Sequence, residues 1–114
     1  MSELSQILTI KAMDALVLRQ TAIAQNIANS GSESYSVRSV DFEAALRNAA
    51  HDGPDAVRAF TATIDADGPA LSGGEIRLDL EMQSASATAM RYAALSDLLG
   101  RQMQLARAAI RGGQ

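Results

Sequence analysis

The sequence predicts a mainly α-helical chain in which two long terminal helices form an elongated antiparallel coiled hairpin. Both ends of the chain carry apolar side chains at helical spacing, and the stretch between them is interrupted by Gly and Pro and predicts an irregular or β-hairpin segment. At 114 residues the chain is long enough for one domain. It divides into an N-terminal helix over 1–31, a connecting segment over 32–74 and a C-terminal helix over 75–114.

The N-terminal helix is predicted over residues 2–29, where two neighbouring rows of side chains follow helical spacing. The first row consists of Leu4, Leu8, Ala15, Leu18 and Ala22, and the second of Met13, Leu16, Gln20, Ile23 and Ile27. A surface this wide exceeds what one partner helix covers. Ser2 or Ser5 can cap the start, and Asn29-Ser30-Gly31 suits a left-handed stop at the end.

The connecting segment is predicted to contain one short helix and one short strand. The helix spans 41–50, with Asp41 as its cap. Three apolar side chains share one face of this helix: Phe42, Ala45 and Leu46. The strand, or hairpin arm, lies within 57–64, where the residues alternate. Three side chains share one side of it: Phe60, Ala62 and Ile64.

The C-terminal helix, predicted over 79–111, has the clearest pattern. Asp79 can cap it, and Glu81 in the first turn suits the positive end of the helix dipole. Three arginines suit the negative end: Arg101, Arg107 and Arg111. A seam of side chains repeats at alternating spacings of four and three residues: Leu78, Met82, Ala85, Ala89, Tyr92, Ser96, Leu99, Met103, Ala106 and Ile110. Such heptad spacing favours packing of helix on helix.

The length of this helix predicts an elongated molecule. About 33 residues at ~1.5 Å each span ~50 Å. A compact domain of this size has a radius of gyration of about 13 Å and a diameter of about 35 Å. The helix would therefore protrude from a globule. Leu95, Leu98 and Leu105 widen the seam, so we expect more than one neighbouring helix to pack against it.

The composition predicts a thin hydrophobic core. Hydrophobic residues make up 47% of the chain, but it has no Trp, two Phe and two Tyr. Alanine supports helices but contributes little to burial, because large side chains supply most of the stabilisation of ~25 cal/mol per Å². We therefore expect a marginally stable monomer that gains stability by association.

Charge and residue usage argue against several classes of protein. A net charge of −3 disfavours a nucleic-acid binder, which normally presents a basic face. The absence of cysteine excludes disulfides and thiolate metal sites. The sequence has no apolar stretch long enough for a membrane span, and its acidic start does not resemble a cleavable signal peptide. We expect a protein that stays in the cytoplasm or leaves it without cleavage.

Four sequence features are reminiscent of chemical sites, and we expect none of them to act as one. His51 stands beside Asp52 without a nucleophile or a second base. Residues 65–68 begin like a calcium loop, but the later ligand positions do not follow, which favours a turn. Residues 72–75 lack the Lys-Ser/Thr of a phosphate loop and favour a linker. Three methionines fit core packing better than metal binding: Met82, Met90 and Met103. No catalytic, cofactor-binding or metal-binding residue is predicted.

Two groups of motifs resemble the family of flagellar basal-body rod and hook proteins. The first is Asn26-Ile27-Ala28-Asn29, with Arg19-Gln20 before it and Tyr35 and Val40-Asp41-Phe42 after it. The second is Leu78-Asp79-Leu80-Glu81-Met82, then Arg91-Tyr92-Ala93-Ala94-Leu95, then Leu99-Gly100-Arg101-Gln102-Met103. The resemblance covers residues 4–47 and 75–111. Its motif residues are Asn26, Ile27, Ala28, Asn29, Tyr35, Asp41, Phe42, Glu81 and Met82.

The chain departs from the family at two loops. The family has Thr-Pro-Gly-Tyr before the extended segment, where this chain has Ser32-Glu33-Ser34-Tyr35. The family has Asn-Val-Asp before the second helix, where this chain has Glu75-Ile76-Arg77. Both changes leave the predicted helices intact.

The resemblance implies a structural subunit of the flagellar rod in the periplasmic space. Such subunits stack helically around a central channel and form the drive shaft between the membrane ring and the hook. The implied partners are copies of itself, FlgC-, FlgF- and FlgG-like rod proteins, the FliE adaptor and MS ring, and the flagellar type III export apparatus. No nucleic acid and no small-molecule substrate are implied. The expected assembly interface consists of Leu8, Leu18, Ile23, Ile27, Tyr92, Leu95, Leu99, Met103 and Ile110.

The family also carries a Phe-x-x-x-apolar element that is read by the export gate. The stretch from Phe42 to Leu46 matches that form, although two such side chains on one helix face pack together in any case. Three other interpretations of the function stay open at this point: a FlgC-like neighbouring rod protein, a cytoplasmic helical-hairpin adaptor or chaperone that forms a closed dimer, and a small enzyme.

Overall fold

A computed structural model describes residues 2–32, 34–66, 68 and 78–112. These residues form four helices: α1 (Glu3–Ala28), α2 (Glu43–Asp52), α3 (Pro54–Ala59) and α4 (Leu78–Gly112). The two long helices, α1 and α4, pack against each other with little strand in the rest of the described chain. The prediction of a mainly helical hairpin is confirmed.

Helix α1 begins as the sequence predicts and ends differently. The Ser2 hydroxyl caps the start and accepts a hydrogen bond from the Ser5 backbone N–H at 3.1 Å. At the end, Asn29 keeps a φ of −106°, so the predicted left-handed stop is wrong. Both the backbone N–H and the side-chain amide of Asn29 donate to the Gln25 carbonyl, at 3.1 and 2.8 Å. The Ser30 N–H donates to the Ile27 carbonyl at 3.3 Å, so one of the last carbonyls of the helix is satisfied without a left-handed residue.

Helix α2 starts two residues later than predicted, and Asp41 does not cap it. Phe42 occupies the cap position without a side-chain hydrogen bond, and its carbonyl accepts from the Leu46 N–H at 2.8 Å. Phe42 and Leu46 are buried, whereas Ala45 is exposed. Burial of the Phe42 ring therefore decides where the helix begins, in place of a polar cap.

The strand predicted over 57–64 is wrong in its first half. Pro54 begins α3, because its fixed φ suits the first helical position. Gly53, at φ +112°, lets the chain turn sharply between α2 and α3. The second half is extended and alternates as predicted, with three side chains packed on the core: Phe60, Ala62 and Ile64. Directly after this segment, Asp65 forms an isolated antiparallel bridge with Ser39.

The hydrophobic core lies between α1, α2, α3 and the extended segment before α2. Its buried cluster consists of Ala15, Leu16, Ala22, Val40, Phe42, Leu46 and Val57. From α4, Leu95 is the half-buried side chain that packs against this cluster. The core is small, as the composition predicts, and α4 lies at its edge.

The pairing of α1 with α4 is antiparallel. The Gln20 side-chain amide donates to the Ala85 carbonyl at 2.8 Å, and the Asn26 amide donates to the Glu81 carboxylate at 3.2 Å. Helix α4 has 35 residues and α1 has 26, so α4 continues beyond the start of α1. Residues Met103–Gly112 are all exposed, and we refer to them as the C-terminal overhang.

The face that α4 turns towards α1 differs from the predicted seam. Exposed members of the predicted seam include Leu78, Met82, Ala89, Ser96, Met103 and Ile110. The half-buried and buried positions instead are Glu81, Ala85, Thr88, Leu95, Leu99 and Gln102. This set also has heptad spacing, but one of its two rows is displaced by one residue. The polar bonds from Asn26 and Gln20 hold α4 in this rotation.

The molecule is elongated, as the helix length predicts. Its extents are 66 × 27 × 14 Å, and its radius of gyration is 17.8 Å. The radius expected for a compact domain of this length is about 13 Å. None of the described helices combines the length and the apolar character that a membrane-spanning helix requires.

Candidate assembly surface

Asn26 is a buried polar side chain near the C-terminal end of α1, opposite the first turn of α4, with 1% of its surface exposed. Its amide group donates to the Arg38 carbonyl at 2.8 Å and to the Glu81 carboxylate at 3.2 Å. Its oxygen accepts from the Arg38 N–H at 2.8 Å and from the Tyr35 hydroxyl at 3.2 Å. A primary amide has two donors and two acceptor positions, so its capacity is filled.

This network, which we call the Asn26 hub, joins both halves of the motif pattern. Asn26 and Tyr35 belong to the N-terminal group of motif residues, and Glu81 belongs to the C-terminal group. Of the other motif residues, Phe42 is buried in the core, whereas Ala28, Asp41 and Met82 are exposed. The fold therefore brings together three of the motif residues and leaves others at the surface.

Arg19 forms a second polar contact between elements. Its guanidinium donates to the Val40 carbonyl at 3.1 and 2.6 Å and to the Glu43 carboxylate at 3.0 and 2.6 Å. It also lies 4.8 Å from the centre of the Phe42 ring, within cation–π range. One side chain of α1 thus holds the extended segment and the start of α2.

Glu43 carries this contact on to α4. The Arg91 guanidinium of α4 lies 3.4 Å from the Glu43 carboxylate. Hydrogen bonds from Arg19 lower the pKa of Glu43 to about 2, against a smaller opposing effect of burial. The carboxylate is therefore ionised across the neutral and mildly acidic range, and it links α1, α2 and α4.

The predicted interface residues fall into two groups in the folded chain. Six are buried or half-buried within it: Leu8, Leu18, Ile23, Ile27, Leu95 and Leu99. Three are exposed and accessible to another molecule: Tyr92, Met103 and Ile110. Three of the first group, Leu8, Leu18 and Leu95, pack against the buried cluster. The exposed residues all belong to α4, so α4 carries the part of the predicted interface that a partner could meet.

Helix α4 exposes more large apolar side chains than the predicted interface contains. Beyond Tyr92, Met103 and Ile110, the exposed ones are Leu78, Leu80, Met82, Met90, Leu98 and Leu105. On α1, Ile10 and Val17 are also exposed. Helical periodicity places five of these exposed side chains on one side of α4: Leu78, Met82, Tyr92, Met103 and Ile110. A row of exposed large apolar side chains along one side of a helix favours an interaction site.

An apolar groove runs between the two long helices where their exposed faces meet. It has a volume of about 240 Å³ and is lined by Leu16, Val17, Gln20, Ala89 and Tyr92. Leu16 forms its floor as part of the core, and Val17 and Tyr92 form exposed walls. The groove has the shape to take a side chain from a neighbouring helix.

The proposed export-gate residues lie inside the fold. Phe42 and Leu46 are 5% and 6% exposed, and both belong to the buried cluster. They are four residues apart and pack on the same face of the α2 start, as two such side chains do without an export role. Any recognition of this element therefore requires an unfolded chain.

The structure places the remaining residues that the sequence analysis considered as chemical sites. His51 is exposed at the end of α2, and the described residues contain no group of three His, Asp or Glu side chains placed to hold a metal ion. Met82, Met90 and Met103 are all exposed, so the prediction that they pack in a core is wrong for the single chain. The linker over 72–75 lies outside the described residues, as does Asp67 in the predicted turn.

Sequence reasoning missed the contact between Arg19, Glu43 and Arg91. Arg19 and Arg91 both stand within the motif groups, and Glu43 directly follows the second part of the first group. An acidic residue in the first turn of a predicted helix, with arginines on both long helices, was the available signal. No protein-family model and no curated protein matches this chain.

Proposed function

We propose that this chain is a structural, non-enzymatic subunit of the proximal rod of the bacterial flagellar basal body, of the FlgB kind. In this proposal it polymerises through its terminal helices and helps to form the drive shaft and its export channel. The observation that carries the proposal is the exposed apolar surface of α4 on an elongated hairpin. A 35-residue helix with this surface suits packing among other helices.

The Asn26 hub gives the proposal a second basis. The resemblance covers the two ends of the chain and omits the middle, and the hub links Asn26 and Tyr35 from one end with Glu81 from the other. A motif whose members meet in one buried network has a structural reason to occur together. That supports the resemblance as a property of one folded unit.

The partners in this proposal are other helices of the rod and the proteins at its base. They comprise further copies of the chain, FlgC-, FlgF- and FlgG-like rod proteins, the FliE adaptor and the MS ring. The chain would reach the periplasmic rod through the flagellar type III export apparatus. Phe42 and Leu46 would be readable at the export gate before folding buries them.

The test is incorporation into basal bodies by variants that fold normally. Met103→Asp and Ile110→Asp each place a charge on an exposed apolar position, 55% and 69% exposed in the single chain. Both variants should keep the circular dichroism spectrum and melting temperature of the wild type. In the bacterium that encodes the chain, both should lose motility and be absent from purified basal bodies.

Ala108→Asp is the matched control for this test. Ala108 lies in the same overhang and is also exposed, but helical periodicity places it on the side opposite Ile110. We expect this variant to assemble and to support motility. Normal basal bodies in the Met103 and Ile110 variants would contradict the proposal.

The closed-dimer adaptor makes a different prediction from the same surface. A two-fold dimer would bury the apolar face of α4 once and then stop growing. Discrete dimers at all concentrations, with cooperative melting, would favour that adaptor. Growth into longer assemblies would favour a rod subunit, whether of the FlgB or the FlgC-like kind.

A further inference from the structure

The two ends of α4 carry matching sets of exposed side chains. At its start, Leu78, Leu80 and Met82 are exposed around the exposed carboxylate of Asp79. At its end, the C-terminal overhang exposes three large apolar side chains beside two arginines: Met103, Leu105 and Ile110, with Arg107 and Arg111. One end therefore offers apolar and acidic groups, and the other offers apolar and basic groups.

These two surfaces lie far apart on one molecule. They sit on a single helix of 35 residues, which spans ~50 Å, within a molecule 66 Å long. They cannot meet within one chain, but they can meet between chains. The charges also match the helix dipole, because Asp79 stands at the positive end and the arginines stand at the negative end.

We infer that the C-terminal overhang of one copy docks on the first turns of α4 in a second copy, end to end. The inference deepens the proposed function, on which it rests for its setting in a rod. Apolar side chains of the overhang cover Leu78, Leu80 and Met82, and Arg107 or Arg111 approaches Asp79. The docked pair then keeps one end of each kind free, so the contact builds an open series.

A second copy fits the overhang better than an anionic membrane does. Lipid-binding segments normally carry about four to eight Lys or Arg side chains. The overhang has two arginines, and the whole chain has a net charge of −3. The complementary acidic and apolar surface, by contrast, is present on the same chain at the opposite end of α4.

Cysteine cross-linking tests the contact directly, because the chain contains no cysteine of its own. One set of variants carries Met103→Cys, Leu105→Cys or Ile110→Cys, and the other carries Leu78→Cys, Leu80→Cys or Met82→Cys. A disulfide requires Cα atoms about 4.4–6.8 Å apart. We expect at least one mixed pair of variants to form a heterodimer in several-fold higher yield than a control pair with Ala94→Cys, an exposed position in the middle of α4.

Charge provides the second arm of the experiment. Adding Arg107→Glu and Arg111→Glu to the overhang variant should reduce the cross-linking yield several-fold, and Asp79→Arg in the other variant should restore it. Yields equal to the Ala94 control would overturn the inference. So would cross-links that form only between two overhangs, or co-sedimentation of the wild type with phosphatidylglycerol vesicles in place of self-association.

The outcome separates this inference from the proposed function. If the wild type enters basal bodies but the two ends of α4 never cross-link, the end-to-end contact is wrong and the rod proposal stands. If the ends cross-link and the wild type is absent from basal bodies, the contact stands and the rod proposal is wrong.

Discussion

Asn26 is the residue on which the most separate parts of the chain converge. Its four hydrogen bonds reach Tyr35 and Arg38 in the segment after α1, and Glu81 on α4. Among the side chains, only Asn and Gln carry a primary amide with two donors and two acceptor positions, and Gln is one methylene group longer. Removing it leaves buried polar groups without partners, and that costs more than the bonds themselves contribute.

Asn26→Ala should lower the free energy of unfolding by about 3 kcal/mol, because the Arg38 backbone and the Tyr35 hydroxyl lose their buried partner. Denaturant melts followed by circular dichroism would measure the change. Asn48→Ala, at an exposed position on α2, is the matched control and should stay within about 0.5 kcal/mol. Equal effects at the two positions would show that the hub is not structural.

The Glu43 carboxylate should make stability depend on acid. Hydrogen bonds from Arg19 lower its pKa in the folded chain from the ordinary value of 4.5 to about 2. The stabilisation by its bonds to Arg19 is therefore present in full above the unfolded pKa and is lost as the pH falls from about 4.5 towards 2. Glu43→Gln should lower the melting temperature at pH 7, and its difference from the wild type should shrink at pH 3.

Asp97→Asn provides the control for that pH series. Asp97 forms an exposed pair with Arg101 at 3.0 Å on α4, and such surface pairs contribute little. Its melting temperature should follow the wild type at both pH values. A Glu43→Gln difference that stays constant with pH would assign the effect to packing in place of charge.

At the scale of elements, the sequence predicts where helices lie better than how they face each other. Helical spacing and capping residues located α1 and α4 to within one or two residues at each end. The rotation of α4 about its axis is fixed by hydrogen bonds from Gln20 and Asn26, and the spacing of apolar residues in the sequence does not predict those bonds. The predicted row of side chains on α4 and the row one residue before it have the same heptad spacing, so the spacing alone does not say which row faces α1. The large side chains of the predicted row, Met82, Met103 and Ile110, are exposed.

The segment from Asp41 to Ile64 shows a second limit of sequence prediction. Gly and Pro in the middle of the chain predict loops, yet Pro54 begins α3, because a proline after a sharp turn at Gly53 fits both a loop and a helix start. The alternation of Phe60, Ala62 and Ile64 was predicted correctly, since it reflects burial on one side. Burial patterns survive the change from strand to extended loop.

Two glycines should respond to alanine with opposite signs. Gly53→Ala forces a side chain into a backbone conformation, at φ +112°, that only glycine adopts readily, and should destabilise the fold by about 1–3 kcal/mol. Gly100→Ala meets nothing within 4 Å in the middle of α4 and should stabilise it by about 0.5–1 kcal/mol. Thermal melts of the two variants measure both changes. A stabilising Gly53→Ala would contradict the described turn.

Leu99→Asp should affect both folding and assembly. Leu99 is half-buried on the face that α4 turns towards α1, so a carboxylate there should cost about 2 kcal/mol of stability in the monomer. It should also block incorporation into basal bodies. Ile110→Asp should change stability by less than about 0.5 kcal/mol and block assembly equally, and comparing the two variants separates the roles of α4.

On the scale of the whole molecule, stability is distributed unevenly along the long axis. The buried cluster is formed by residues between Ala15 and Val57, while every residue of the C-terminal overhang is exposed. Local opening is easiest where few apolar contacts hold a helix. The small core that the composition predicts therefore stabilises the part of the molecule around α1, α2 and α3, and does not extend to the C-terminal overhang.

Hydrogen exchange should report this gradient in the purified chain. Backbone amides of α1 around Ala15 and Ala22 should exchange most slowly, and those of the C-terminal overhang should exchange fastest. Raising the protein concentration should slow exchange in the overhang if it finds a partner. Uniform protection along α4 at low concentration would show that its end is stable without one.

The order of the core cluster along the chain has a consequence for the timing of folding. Every member of that cluster lies between residues 15 and 57, and α4 adds only a half-buried Leu95 from the second half of the chain. A chain that emerges with its N-terminus first can therefore complete its centre while α4 is still to come. The last helix to appear is then the one with the fewest core contacts in its own chain, and its exposed side chains stay available to pack against a neighbouring molecule.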